Sequence, residues 1–170
     1  MSDQPPPDDV AVPRQRVAAY ALVVERGRVL LTLMSEHTPV PGTWGLPGGG
    51  LDHGEAPVDA VVREVYEETA HQLRDVRLVD VGSVRFTAHS PRGRWEDFQS
   101  IQIIYAAGVQ EVREPEVLDV GGSTADARWV PLAELGGLPL GRSTARWLAQ
   151  LLDRPDLLDH SSGISSSPAT

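Results

Sequence analysis

The sequence predicts an α/β domain with a mixed β-sheet. Six apolar segments of strand length are separated by loops rich in glycine, proline and charged residues. An amphipathic helix is expected between the third and fourth segments, and a shorter one near the C-terminus. The resulting order, β-β-β-α-β-β-β-α, is typical of an α/β fold with a mixed sheet.

Length and composition fit one globular domain. The chain has 170 residues, of which 41% are hydrophobic, and it contains no cysteine. Disulfides, zinc–thiolate sites and a cysteine nucleophile are therefore excluded. We expect the domain to cover residues 16–153, between a disordered N-terminal tail of residues 1–15 and a flexible, serine-rich C-terminal tail of residues 154–170.

Charge and targeting features narrow the range of partners. The net charge of −9 argues against a general electrostatic attraction to nucleic acid. No apolar run approaches the length of a membrane-spanning helix, and the acidic, proline-rich N-terminus is unlike a signal peptide. We therefore expect a cytoplasmic protein without a membrane partner, acting on a small phosphorylated molecule.

The first three strands precede the longer helix. Residues 16–25 are apolar enough to be buried on both faces, and residues 28–34 pair back with them as a hairpin. Residues 45–51 are expected to form a short strand or an extended loop. The helix is expected over residues 57–69, because Pro57 suits the first helical turn.

The second half of the chain supplies three further strands and the final helix. The strands are expected at residues 76–87, 99–109 and 126–131, with a turn-rich loop at 88–97 and a long acidic loop at 110–124. A helical turn at 132–135 precedes a helix at 144–152. We expect Ser143 to cap this helix and the following residues to face the core: Ala145, Leu148, Leu151 and Leu152.

Three glutamates lie on one stripe of the longer helix. Glu64, Glu67 and Glu68 stand at i, i+3 and i+4, while an apolar face lies opposite. Neighbouring carboxylates repel unless one takes up a proton or a cation binds, and Mg²⁺ and Mn²⁺ prefer oxygen ligands. The alternative is an ordinary solvated acidic face. Arg63 is placed to contact Glu67 at i+4 or to reach back to Glu55.

A glycine run leads into this helix. Gly48, Gly49 and Gly50 are consecutive, and such a run before a helix is typical of a loop whose backbone approaches a ligand closely. A lone glycine run is also common in simple turns. Beside the glutamates, the run makes an ordinary solvated acidic face less favoured as the interpretation of this helix.

The segment from Gly49 to His71 resembles the box that defines the Nudix hydrolase family, G-x5-E-x7-R-E-U-x-E-E-x-G-U, where U is a bulky apolar residue. Seven of the nine specified positions agree: Gly49, Glu55, Arg63, Glu64, Val65, Glu67 and Glu68. Ala70 stands where the pattern has glycine, and His71 where it has an apolar residue. At position 70 the helix either ends in a left-handed turn, at a cost of about 1 kcal/mol for alanine, or continues by a residue.

This resemblance implies an α/β/α sandwich and hydrolysis of a diphosphate bond in a nucleoside diphosphate linked to another group. It implies Mg²⁺ or Mn²⁺ bound by Glu64, Glu67, Glu68 and a backbone carbonyl of Gly48 or Gly49. Arg63 would orient the ligating glutamates. Glu55 would anchor the loop through Arg63 or bind a further ion.

Two roles stay open within the resemblance. The general base comes either from an acidic residue of the 110–124 loop, with Glu114 preferred, or from Glu64 and its neighbours in the box. Trp95, expected in the 88–97 loop, is a candidate to stack on a nucleobase, with a simple loop tip as the alternative.

Two other functions and one assembly are considered. A Nudix fold can bind nucleotide without cleaving it, but such modules usually lose box glutamates, and all are present here. Removal of pyrophosphate from RNA 5′ ends uses the same chemistry, although the net charge of −9 argues against it. A homodimer is expected by analogy with the family alone.

Overall fold

The computed structural model describes residues 11–89 and 93–154. Its strands are β1 (Val12–Glu25), β2 (Arg28–Met34), β3 (Trp44–Gly45), β4 (Gly48–Gly50), β5 (Leu73–His89), β6 (Trp95–Val109) and β7 (Thr124–Pro131). Helix α1 spans Pro57–Thr69, a 3₁₀ helix spans Leu132–Gly137, and α2 spans Arg142–Leu152.

Strand β1 is the centre of the mixed sheet. On one side it pairs in parallel with β6 along residues 12–23, and β5 continues the sheet antiparallel to β6. On its other side it pairs antiparallel with β4 and, at Val24 and Glu25, with β2. Strand β2 diverges from β1 to pair with β7 and β3. The prediction of a mixed sheet is confirmed.

A helix covers each face of the sheet. Alternate residues of β1 point to opposite faces, so Ala19, Ala21 and Val23 pack with α1 residues such as Val61, as part of one buried apolar cluster. On the other face, a second cluster includes Leu22, Val24 and Ile104 together with Trp147 and Leu148 of α2. The α/β/α arrangement is confirmed.

Several predicted boundaries differ from the structure. Strand β1 begins at Val12, so residues 12–15 belong to the strand and not to the N-terminal tail. Residues 88, 89 and 95–97 of the expected 88–97 loop are strand, because the β5–β6 ladder continues to the pair His89–Trp95, and residues 90–92 lie outside the described residues. A contact between the Phe86 and Phe98 rings, with centroids 5.2 Å apart, supports that extension.

The buried face of α2 also differs from the prediction. The helix begins at Arg142, so Ser143 lies within it and is not its cap. Ala145 is exposed, whereas Trp147 and Leu148 are buried. Trp147 donates through Nε1 to the side-chain oxygen of Gln102 at 3.0 Å, which fixes α2 on the sheet. Sequence spacing alone did not reveal this contact.

The structure does not test the predicted tails, the predicted homodimer or the predicted cytoplasmic location. Residues 1–10 and 155–170, placed in the tails, lie outside the described residues. Within the described part of the chain, no helix is both long and apolar enough to span a bilayer. The homodimer and the cytoplasmic location stay predictions.

Helix α1 ends in a left-handed turn at Ala70. This residue has φ 57° and ψ 15°, and its N–H donates to the carbonyl of Tyr66 at 2.8 Å. Of the two outcomes considered from the sequence, the structure has the left-handed turn: the helix ends at Thr69. The backbone takes the conformation for which the family pattern has glycine.

Replacing Ala70 by glycine should increase the free energy of unfolding by about 1 kcal/mol, because glycine adopts positive φ without a steric penalty. The matched control is Ala145→Gly at an exposed position of α2, which should lower the same quantity by about 1 kcal/mol. Urea denaturation of both variants measures the two effects. A loss of stability in both variants would show that the turn at position 70 carries no strain.

Candidate active site

Arg63 is the contact point for three glutamates. Its Nε and Nη2 donate to the two carboxylate oxygens of Glu55, at 2.8 and 2.9 Å. Its Nη1 contacts Glu64 at 2.9 Å and Glu67 at 3.2 Å. Both contacts considered for Arg63 from the sequence, to Glu67 and back to Glu55, are therefore present.

The pairing with Arg63 fixes the segment that precedes α1. Arg63 and, secondarily, the backbone N–H of Asp52 hold the pKa of Glu55 at about 2. The Nη2 of Arg63 also donates to the carbonyl of Gly50 at 3.3 Å. Arg63 thus connects α1 to strand β4 and to the loop between them.

Glu68 is a buried carboxylate with an unusual pKa. Its side chain is nearly inaccessible to solvent, and one oxygen accepts the N–H of Gly48 at 2.8 Å while the other accepts the hydroxyl of Thr124. Burial raises the pKa of Glu68 to about 7, although these two hydrogen bonds oppose the shift. The charges of Glu64 and Glu67 raise it further.

Two glycines of β4 leave room for the glutamates and the central strand. A Cβ added at Gly49 would lie 2.6 Å from the carboxylate carbon of Glu64. Gly48 has φ 138°, and an added Cβ would lie 2.2 Å from the carbonyl oxygen of Ala19. Side chains at these positions would push β4 away from α1 and β1.

The three glutamates do not converge on one point. Glu64 and Glu67 share Arg63, whereas Glu68 turns toward Gly48 and Thr124. Across the described ranges, no group of three His, Cys, Asp or Glu side chains has the arrangement expected around a metal ion. The expected convergence is therefore absent from this structure, because Arg63 occupies two of the carboxylates.

The donor set nevertheless suits a hard divalent cation. All the candidate ligands are oxygens, and burial raises the pKa of Glu64 as well as that of Glu68. A cation would offset this unfavourable negative charge. Binding through all three carboxylates would require Glu64 or Glu67 to turn away from Arg63.

Two other predicted site residues lie apart from the glutamates. Trp95 is not in a loop: it belongs to β6, is buried, and packs against the ring of His89 at 4.9 Å between centroids. Along β6 it lies seven residues before Gln102, which is level with Gly50, so the separation is roughly 20 Å. The structure therefore does not bring Trp95 to the site.

Glu114 is also outside the glutamate cluster. Its side chain is exposed, and its charge acts on His71 at the end of α1. It is absent from the groups that shift the pKa of Glu64 or Glu68. Of the two sources considered for a general base, only the box glutamates lie in the cluster.

Two residues without a predicted role, His71 and Trp129, hold the 110–123 loop against α1. His71 is buried, and its ring nitrogens contact the carbonyls of Thr69 at 2.9 Å and Arg113 at 3.1 Å. Trp129 donates to the same Arg113 carbonyl at 2.7 Å and packs edge-on against His71. His71 is therefore buried, like the apolar residue that the family pattern has at this position, and it also forms polar contacts.

The loop continues past α1 to a cavity of about 580 Å³. The backbone N–H groups of Leu118 and Asp119 donate to the carbonyl of Glu67, at 2.8 and 3.1 Å. The glutamates of the box are not in the cavity lining, but Thr124, the partner of Glu68, is. The full lining is Ser35, Glu36, His37, Val117, Val120, Gly121, Gly122, Thr124 and Ala125.

Comparison with known proteins confirms the resemblance read from the box. The family model for the NUDIX domain matches residues 12–151, which is most of the chain. The chain belongs to the Nudix family. The match begins at the first residue of β1 and ends within α2, so it includes both helices.

The names of proteins similar to this Nudix protein state several different activities. The chain is 31% identical over 143 residues to the nucleoside triphosphatase NudI of Salmonella agona, covering 80% of this chain and 96% of that protein. It is 30% identical over 130 residues to the NAD-capped RNA hydrolase NudC of Pseudomonas putida, covering 76% of this chain. It spans only 42% of the length of that NudC.

A solved structure shows the same fold. The MutT NUDIX hydrolase from Burkholderia pseudomallei superimposes with a TM-score of 0.64 at 30% identity, covering 81% of this chain and 98% of that one. The Nudix sandwich inferred from the box is thus found in both chains.

The raised pKa of Glu68 predicts that the metal-free protein loses stability as pH increases. A folded-state pKa above the unfolded value of 4.5 means that the native state binds more protons between pH 4.5 and 7. Stability should therefore fall across this window, by up to about 3 kcal/mol from this group. The change should be smaller in Glu68→Gln.

Urea denaturation of both proteins in EDTA, from pH 5 to pH 8, measures this dependence. Parallel stability profiles for the wild type and Glu68→Gln would contradict the assignment to Glu68.

Proposed function

We propose that this protein is a divalent-metal-dependent Nudix pyrophosphohydrolase that acts on a nucleotide-type small molecule. It would hydrolyse a diphosphate bond in a nucleoside diphosphate linked to another group. The observation that carries this proposal is the acidic cluster itself: Arg63 holds Glu64 and Glu67 beside the buried, destabilised carboxylate of Glu68.

Glu64, Glu67 and Glu68 would hold the cation, with Mg²⁺ or Mn²⁺ as the proposed ion. Such an ion supplies positive charge that offsets the charge of the phosphate oxygens during hydrolysis. The Gly48 carbonyl is the preferred backbone ligand. The N–H groups of Ala21 and Leu51 form hydrogen bonds between β1 and β4 on either side of the Ala19–Gly49 pair. Because such bonds alternate along an antiparallel ladder, the carbonyl of Gly49 faces β1 and the carbonyl of Gly48 faces away from it.

The remaining roles belong to the residues around the cluster. Arg63 would orient Glu64 and Glu67, and Glu55 would hold Arg63 in place through its two-oxygen contact. The backbone of Gly48, Gly49 and Gly50 would lie beside the substrate phosphates. As general base we favour Glu64 over Glu114, because Glu64 lies in the cluster and Glu114 does not.

Small nucleotides are preferred over RNA as substrates. The relative named as a nucleoside triphosphatase is matched along 96% of its length, whereas the NAD-capped RNA hydrolase is matched along 42%. The net charge of −9 also disfavours a polyanionic polymer. A purely nucleotide-sensing role is disfavoured because every box glutamate is present.

Glu67→Gln should lower turnover by more than about a hundredfold, since loss of a ligand should exceed the effect of losing an outer partner. The melting temperature should hardly change. The Glu67 side chain is 42% exposed, and its ion pair with Arg63 contributes at most about 1 kcal/mol. The measurement is product release from ADP-ribose, NADH, nucleoside triphosphates and short triphosphorylated RNA, with Mg²⁺ or Mn²⁺.

Asp59→Asn is the matched control, because it removes an exposed carboxylate from the first turn of the same helix. It should leave turnover unchanged. Wild-type turnover in Glu67→Gln would refute the ligand role of Glu67. A folded wild-type protein that cleaves none of these compounds would refute the proposed activity, and preferential cleavage of RNA would favour the RNA alternative.

A further inference from the structure

Arg16 places a cation beside the glycine strand, on the face away from the glutamates. It lies on β1, two residues before Ala18, which pairs with Gly50 of β4. A Cβ added at Gly50 would lie 2.4 Å from both Nε and Nη2 of Arg16. The guanidinium therefore rests directly on the backbone of Gly50.

Contact with Arg16 explains why residue 50 is a glycine. Unlike Gly48, Gly50 does not have a positive φ, so its backbone is open to other residues. Gly49 and Gly50 are neighbours in a strand and face opposite sides of it. Gly49 makes room for the Glu64 carboxylate and Gly50 for the Arg16 guanidinium. One thin edge strand thus separates an anionic group from a cationic one.

Among the described residues, Arg16 has no ion-pair partner. It is exposed, and no carboxylate of a described residue lies within salt-bridge distance of it, whereas Arg63 contacts three. Its charge still reaches the site. Burial raises the pKa of Tyr20 and of Glu64, and the positive charge of Arg16 opposes both shifts. Arg16 therefore lies in the electrostatic field of the cluster while its donors remain available.

We propose that Arg16 binds a phosphate group of the substrate. The guanidinium would contact the phosphoryl group that lies across β4 from the glutamates, so a diphosphate would pass over the edge of the sheet at Gly49 and Gly50. A guanidinium presents paired donors that match phosphate oxygens. Because residue 50 is a glycine and has no side chain, these donors can approach its backbone closely. This inference deepens the proposed function and rests on it.

The test compares Arg16→Gln with Arg14→Gln. Arg14 lies on the same face of β1, two residues earlier, and pairs with Glu96 at 3.6 Å, so it is a matched loss of one positive charge. Calorimetric titration with ADP, in Mg²⁺ and separately in EDTA, measures affinity without any need for turnover. Thermal melts check that each variant is folded.

Arg16→Gln should weaken ADP binding by about tenfold or more, and Arg14→Gln should leave it within about twofold. Arg16→Lys should fall between wild type and Arg16→Gln, because it keeps the charge and loses the paired donors. Gly50→Ala should weaken binding in the wild type and have no further effect in Arg16→Gln.

Equal ADP affinities in the wild type and Arg16→Gln would overturn the proposal, as would equal losses in the Arg14 and Arg16 variants. A wild-type protein that binds no ADP in either buffer would overturn it as well. Binding is separate from hydrolysis, so an Arg16-dependent affinity without turnover would retain this inference and reject the proposed activity.

Discussion

The contacts of Arg63 determine how the acidic face of α1 is arranged. One guanidinium holds Glu55, Glu64 and Glu67 and reaches the carbonyl of Gly50. These contacts use its donors, so Arg63 cannot also offset the charge of Glu68. Glu68 is left buried with the neutral N–H of Gly48 and the hydroxyl of Thr124 as its partners among the described residues, and burial raises its pKa to about 7. The four carboxylates of the cluster have one guanidinium among them, and this cation deficit is the physical basis of the proposed metal site.

The glycine strand makes this arrangement possible. Strand β4 is three residues long and lies between the side chain of Glu64 and the side chain of Arg16. Any Cβ at its second or third position would meet a charged group. The strand therefore brings opposite charges close together at the edge of the sheet without letting them pair.

Local spacing was enough to predict how Arg63 pairs with the glutamates around it. The bounds of α1, and the contacts of Arg63 with Glu67 and Glu55, follow from helical periodicity and from the fixed spacing of the box. The order of strands followed from apolar runs, and the fold class with it. These features depend on residues close together in sequence.

Contacts between distant residues were not predictable in the same way. The partner of Glu68 is 56 residues away at Thr124, and that of His71 is 42 residues away at Arg113. The position of Trp95 differs from the prediction because cross-strand pairing, not local turn propensity, sets the ends of β5 and β6. The sequence showed that the carboxylates share a stripe, but their rotamers depend on Arg63 and on the buried partners of Glu68.

The most direct test of the cation deficit is proton release on metal binding. Mn²⁺ is titrated into metal-free protein in buffers of different ionisation enthalpy, at pH 6 and at pH 9. Since a pKa of about 7 leaves Glu68 largely protonated at pH 6, binding should release about one proton there and close to none at pH 9. Absence of Mn²⁺ binding, or binding at pH 6 without proton release, would contradict the account.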